Sequence, residues 1–177
     1  MKTLSYYYKK ARGEGWALPQ FNFSTAEQLQ GIVEAGVRQR SPLLVGTSEG
    51  DSGFLGKAQA VALVKSYRKE TKLPLFLNFD HGKSVESVRE AMEAGYDAVH
   101  FDGSSFDFET NVRMTRKVVA LARKNGISTV EGEFEEVPGR HSMIHKGKGK
   151  AEKYFTDSAK AALFARKTGV DSLAVMV

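Results

Sequence analysis

The chain has 177 residues, with 26 Lys and Arg against 21 Asp and Glu and no cysteine. That length suffices for one domain with a real core, and the missing thiols exclude disulfides and thiolate metal sites, so any metal must be held by His, Asp or Glu. No apolar run approaches the roughly 18 residues of a membrane span and the N-terminus lacks the apolar stretch of a secretory signal, so a cytoplasmic protein with no membrane partner is expected.

The net charge of +5 raises nucleic acid as a possible partner. Most helical Lys and Arg are interleaved with Glu or apolar residues, as on solvated faces. The one basic cluster, His145 to Lys150 with Lys153, has glycines between its lysines and follows Pro138-Gly139. It reads as a solvated loop, with an anion-binding active-site loop and a nucleic-acid contact as the rival readings. The expectation is that no nucleic acid is bound.

Strand and helix patterns alternate along the chain. Residues 17–23 read as a first extended segment. Ser24 then caps a helix, with Glu27 three residues on, and Leu29, Ile32, Val33, Gly36 and Val37 continue it. Residues 42–48 form a β-rich run, and 54–71 carry helical spacing. The apolar run 73–79 is the third strand. Residues 84–95 form a helix closed by Gly95, 97–102 a fourth strand, and 107–125 a long helix closed by Gly126. A fifth strand covers 127–133, a loop runs to about Phe155, a helix covers 156–168, and 170–177 reads as a sixth strand.

This βαβα alternation predicts a parallel sheet covered by helices, either an open doubly wound sheet or a (βα)8 barrel. Asn22-Phe-Ser-Thr25 follows the first strand where a dinucleotide fold would carry a Gly-rich phosphate loop. Polar residues instead gather at the strand ends: Asn22, Ser48, Asp80-His81, Asp102, and Glu131 with Glu133. Barrel enzymes build their active sites there.

Asp80-His81 is the most pointed pair, because an imidazole can hold a divalent metal while the acid moves a proton. His81 could equally cap the next helix. Asp102 is a ligand or a turn residue before Gly103. Glu131 and Glu133 share one face of their strand, where they would repel unless a cation lay near. His100 has the parity of Asp102, one layer deeper, and reads as a core histidine. Asn22 and Ser48 offer amide and hydroxyl groups to a substrate, or serve as caps.

Taken together, these stretches resemble the class II, zinc-dependent fructose-bisphosphate and tagatose-bisphosphate aldolases. The resemblance rests on Pro19-Gln-Phe-Asn-Phe23, Leu77-Asn-Phe-Asp-His-Gly-Lys-Ser84, Val99-His-Phe-Asp-Gly-Ser104, Phe108-Glu-Thr-Asn-Val112, Val130-Glu-Gly-Glu133, Tyr154-Phe-Thr-Asp157 and Thr168-Gly-Val-Asp-Ser-Leu-Ala174. It implies a (βα)8 TIM barrel of which residues 1–177 form a single incomplete domain. About six strands are present, and the chain ends before the last two. It implies cleavage of a ketose 1,6-bisphosphate into dihydroxyacetone phosphate and glyceraldehyde 3-phosphate, with Zn2+ or another divalent metal stabilising an enediolate. By the same resemblance Asp80 is the acid/base, His81 a zinc ligand, Asp102 and Glu133 ligands of an alternative metal position, and Asn22 and Ser48 substrate contacts.

The resemblance also implies two further zinc histidines, the first a few residues past Val177, so the chain alone is expected to be inactive. Where the family carries a Gly-rich loop with a basic Glu, this chain reads Phe134-Glu-Glu-Val-Pro-Gly-Arg-His-Ser142. Glu135, Glu136 and His141 are the candidates for that base. A homo-oligomer is expected, and a non-catalytic barrel binding a phosphosugar or a protein partner is the alternative.

Overall fold

The computed structural model describes residues 2–127, 129–135 and 155–176. Glu136, His141 and the basic cluster 145–153 lie outside the described residues. The elements are α1 (Leu4–Glu14), β1 (Gln20–Asn22), α2 (Ala26–Gln39), β2 (Leu43–Ser48), α3 (Glu49–Leu55), α4 (Lys57–Thr71), β3 (Leu75–Gly82), α5 (Val85–Ala94), β4 (Ala98–Asp102), α6 (Phe108–Lys124), β5 (Thr129–Glu133), α7 (Ser158–Thr168) and β6 (Ser172–Leu173). All five strand pairs are parallel and the spatial order is the chain order, β1 to β6. A doubly wound sheet reverses its order at a switch point. This one runs one way, as a barrel does.

The sheet curls. Next-nearest strands are roughly 9–10 Å apart, yet Asn22 of β1 bonds Asp80 of β3 at 2.7 Å, and His81 of β3 lies 3.2 Å from Glu133 of β5. Such reach requires a concave face with those side chains inside it. The convex face carries Leu43, Val45, Leu75, Leu77, Phe79, Val99, Phe101 and Val130, all buried. They pack on Leu29 and Val33 of α2, Val61 and Val64 of α4, Val88 and Met92 of α5, and Val118 and Ala122 of α6. That helix–sheet layer is the main core.

Local chemistry sets the element ends. Thr25, not Ser24, caps α2. Its hydroxyl takes the Gln28 N–H, and the Gln28 side chain takes the Thr25 N–H. The expected single helix over 54–71 is two helices parted by Gly56 at φ 91°, a backbone region that favours glycine. Helix α1 has little apolar periodicity to announce it in the sequence. Its ends are nevertheless marked by Thr3 as N-cap and by Gly15 at φ 72°.

Helix α1 lies against the N-terminal ends of the strands. Leu4 joins Leu44 of β2, Phe76 of β3 and Ala98 of β4 in a separate apolar cluster, with Tyr7, Tyr8 and Leu18 beside it. Two ion pairs staple neighbouring strands. Asp97, held by Arg68 at 2.6 Å, accepts the Leu77 N–H at 2.8 Å. Asp171, held by Arg123, accepts the Val130 N–H, both at 2.8 Å. Among the described residues no helix is long and apolar enough to cross a membrane.

Candidate active site

The polar residues sit on the concave face at the C-terminal strand ends. Parity alone would send Asp80 and His81 to opposite faces of β3. The register of β3 against β4 slips between Phe79 and Gly82, and His81 adopts φ 51°. A bulge of this kind re-aims side chains beside active sites. A left-handed backbone at a non-glycine residue costs on the order of 1–3 kcal/mol and persists where the surroundings hold it. Here both side chains turn inward.

Asp80 is held on both oxygens. Asn22 Nδ2 donates to its Oδ2 at 2.7 Å, and His100 Nδ1 lies 3.4 Å from its Oδ1. Asn22 is itself oriented by Gln20 Nε2 at 3.4 Å, and Gln20 Oε1 takes a bond from Asn78 at 3.0 Å. Gly46 leaves room for this row, since a Cβ there would stand 2.3 Å from Asn22 Oδ1. Burial pushes the Asp80 carboxyl up, but the bonds from His100 and Asn22 outweigh it and hold the pKa at about 2.

His81 Nδ1 stands 3.3 Å from Asp102 Oδ2 and 3.2 Å from Glu133 Oε2. Asp102 first and then Glu133 raise the imidazole to about 10, against the effect of burial. Asp102 is buried, and its other oxygen takes the Ser104 N–H at 3.1 Å and the Ser104 hydroxyl at 2.5 Å. Burial works to raise both Asp102 and Glu133. The bonds from His81 and Ser104 hold Asp102 well below the usual carboxylate range, and the neighbouring His100 and His81 imidazoles lower Glu133. Lys83 Nζ adds a cation 3.5 Å from Asp102 Oδ2.

The structure therefore brings Asn22, Asp80, His81, Asp102 and Glu133 into one cluster. Ser48 sits at its edge as the N-cap of α3. Its hydroxyl donates to Asp51 at 2.7 Å and takes the Asp51 N–H at 3.1 Å. Glu131 faces inward as Glu133 does, and burial raises its pKa.

His100 is buried, as a core histidine should be, but it is no apolar-core residue. Its two nitrogens face Asp80 Oδ1 at 3.4 Å and Glu133 Oε2 at 3.2 Å. Burial presses it toward the neutral form, yet the two carboxylates carry its pKa to about 9. The sequence signal was its shared parity with Asp102. The bulge in β3 was not readable, and it is the bulge that brings His81 over the His100 ring, with centroids 4.5 Å apart.

The donor set fits a divalent cation. Ligand atoms of His81, Asp102 and Glu133 lie within 4.8 Å of one another, as do those of Asp80, His81 and His100. Glu133 Oε2 and His100 Nε2 are buried without an aligned hydrogen bond. A buried carboxylate oxygen without an aligned bond is costly unless something cationic meets it. Imidazole and carboxylate donors suit zinc and other first-row divalent ions.

A one-way parallel sheet with an acid, an imidazole and metal-type carboxylates at its C-terminal mouth defines a barrel-type α/β protein with a candidate metal centre. The family model for class-II fructose-bisphosphate aldolase matches residues 2–177, and the chain belongs to that family. A fructose-bisphosphate aldolase of Thermus caldophilus is 36% identical over 169 residues, covering 96% of this chain and 54% of that protein. Among solved structures, the YdjI aldolase of Escherichia coli K12 superposes with a TM-score of 0.84 at 29% identity, covering 100% of this chain and 62% of that one. The fructose-bisphosphate aldolase of Campylobacter jejuni shares the fold, with a TM-score of 0.79 at 20% identity over 97% of this chain and 56% of that one. The chain spans about half the length of the curated relatives it matches.

Proposed function

We propose that this chain carries the acid/base half of a metal-dependent aldolase that cleaves a ketose 1,6-bisphosphate, fructose or tagatose, into dihydroxyacetone phosphate and glyceraldehyde 3-phosphate. The observation that supports it best is Asp80, ionised and gripped on both oxygens by Asn22 and His100, beside His81 at the strand mouth. Retro-aldol cleavage breaks the C3–C4 bond as the C4 hydroxyl becomes an aldehyde. Asp80 takes the hydroxyl proton in cleavage and returns it in condensation. Its fixed orientation is what such a proton transfer requires.

His81, with Asp102 and Glu133, would hold Zn2+, which supplies Lewis-acid stabilisation of the negative charge left on the departing triose. Asn22 and Ser48 would contact the substrate. Asn22 does so from the same amide whose Nδ2 orients Asp80, and Ser48 from the N-cap of α3. Lys83, half-exposed above Asp102, adds positive charge at the mouth, where a phosphorylated sugar arrives.

The reading is tested by assaying triose phosphate release from fructose and tagatose bisphosphates, with and without EDTA, in this chain and in a version extended to the length of its relatives. Chelation should abolish turnover, and Asp80→Asn should lower kcat by about 10²–10⁴-fold. Cleavage that survives EDTA would sink the proposal.

A further inference from the structure

Asp80 and His81 share one face because β3 bulges, and the bulge passes through a left-handed His81 at φ 51°. A residue other than glycine stays in that region only where its neighbours hold it. One side of the bulge is held by packing. A Cβ at Gly82 would stand 2.5 Å from Val88 Cγ2 and 2.8 Å from Phe79 Cε1, so the backbone there is pressed onto the core. The other side is held by a hydrogen bond, since the Lys83 N–H donates to Glu49 Oε1 at 3.0 Å.

Glu49 opens α3, directly after β2. Pairing of β2 with β3 ends at Ser48 opposite Asp80. The Glu49 side chain carries the connection past the end of that ladder, to a backbone N–H that needs an acceptor. A carboxylate on an N–H makes the stronger, charge-assisted kind of bond. Two residues on, Asp51 reaches the other way. It accepts the hydroxyl of Ser24, in the loop after β1, and the Ser48 N–H and hydroxyl at 3.0 and 2.7 Å. The first turn of α3 thus ties together the C-terminal ends of β1, β2 and β3.

We propose that this turn is a clasp for the mouth of the sheet, and that Glu49 is the positioning residue which, through the Lys83 N–H, holds the bulge that aims His81. The proposal rests on the metal-dependent reading above for what His81 does, and adds what keeps it aimed. Glu49 itself touches neither metal nor substrate.

The test reads three properties of the metal-stripped chain. In the unaltered protein the Lys83 amide should exchange with deuterium about 10-fold or more slower than an unbonded loop amide, and backbone couplings at His81 should report a positive φ. Glu49→Ala should release the Lys83 amide to the unbonded rate and move the His81 couplings toward extended values. It should also weaken the binding of Co2+, followed by visible absorption, by about 10-fold or more, the loss that outer partners of a metal site cause. Glu49→Gln keeps an acceptor oxygen at the same reach and should restore all three. A residue that merely stabilised α3 would lower the urea midpoint and leave the His81 couplings of folded molecules where they were.

An unprotected Lys83 amide in the unaltered chain, or His81 couplings unmoved in Glu49→Ala, would overturn the proposal. Moved couplings with unchanged Co2+ affinity would overturn the aiming role. Exchange and couplings are read without metal or substrate, so they decide the clasp even in a protein that binds no Co2+. Cleavage that survives EDTA removes the lyase reading and leaves the clasp standing.

Discussion

At the N-terminal ends of β2, β3 and β4 the inward-facing residues are Leu44, Phe76 and Ala98, and helix α1 closes over them with Leu4. Four residues further along the same strands they are Ser48, Asp80 and Asp102, all polar. One end of the concave face is sealed with apolar side chains, and the other collects carboxylates and imidazoles. The sealed end gains free energy from burial. The open end spends some of it, in a left-handed His81 and in a buried Glu133 oxygen without an aligned hydrogen bond. The contrast shows one strand set dividing its labour along its length, stability at one end and chemistry at the other.

The sharpest way to break that contrast is Phe76→Ala. Phe76 is 3% exposed and stacks obliquely on Tyr7 at 5.7 Å. Its removal should cost about 3–5 kcal/mol in urea unfolding, with little change in the metal affinity of molecules that remain folded. A cost below about 1 kcal/mol would mean that the seal under α1 contributes little.

Next in size is Gly46→Ala, which strikes the open end from beneath. The new Cβ would collide with the Asn22 amide and displace it from Asp80. The expected stability loss is about 1–3 kcal/mol. Under the proposed aldolase reading, turnover should fall through kcat more than KM, because Asp80 loses its orientation. Unchanged kcat would show that Asn22 does not set the posture of Asp80.

The smallest effect concerns Tyr8, at the boundary of the two ends. Burial first, and then the nearby Glu131 carboxylate, push its pKa up to about 12. A folded-state value above the unfolded one means that Tyr8 adds stability which is complete below about pH 10 and lost as pH rises from about 10 to about 12. In an absorbance titration at 295 nm, Tyr8→Phe should remove a late-ionising phase from the signal of the six tyrosines. A titration lacking that phase in the wild type would place Tyr8 in water.

Much of this was legible beforehand, for physical reasons. Strands such as 73–79 announce themselves because a parallel strand buried on both faces needs an unbroken apolar run. Helices α5 and α6 were readable over 84–95 and 107–125 from their closing glycines, and the structure adds Ser84 and Asp107 as their N-caps. Helix α1 was not, because only Leu4 and Ala11 are buried on it, too few to leave a periodic mark. The break at Gly56 was missed because a glycine within helical spacing is ambiguous until its φ is known.

By itself the sequence determined the alternating parallel architecture, the family, and the placing of Asn22, Asp80, His81, Asp102 and Glu133 at strand ends, since periodicity and short motifs are local properties. Only the tertiary structure decided how those residues meet. The curl of the sheet brings β1 to β3 and β3 to β5, and the bulge at His81 turns two consecutive side chains to one face. The same register converts His100 from a buried core residue into the imidazole between Asp80 and Glu133. Distances across a curved sheet depend on strands far apart in the chain, and no spacing along the sequence records them.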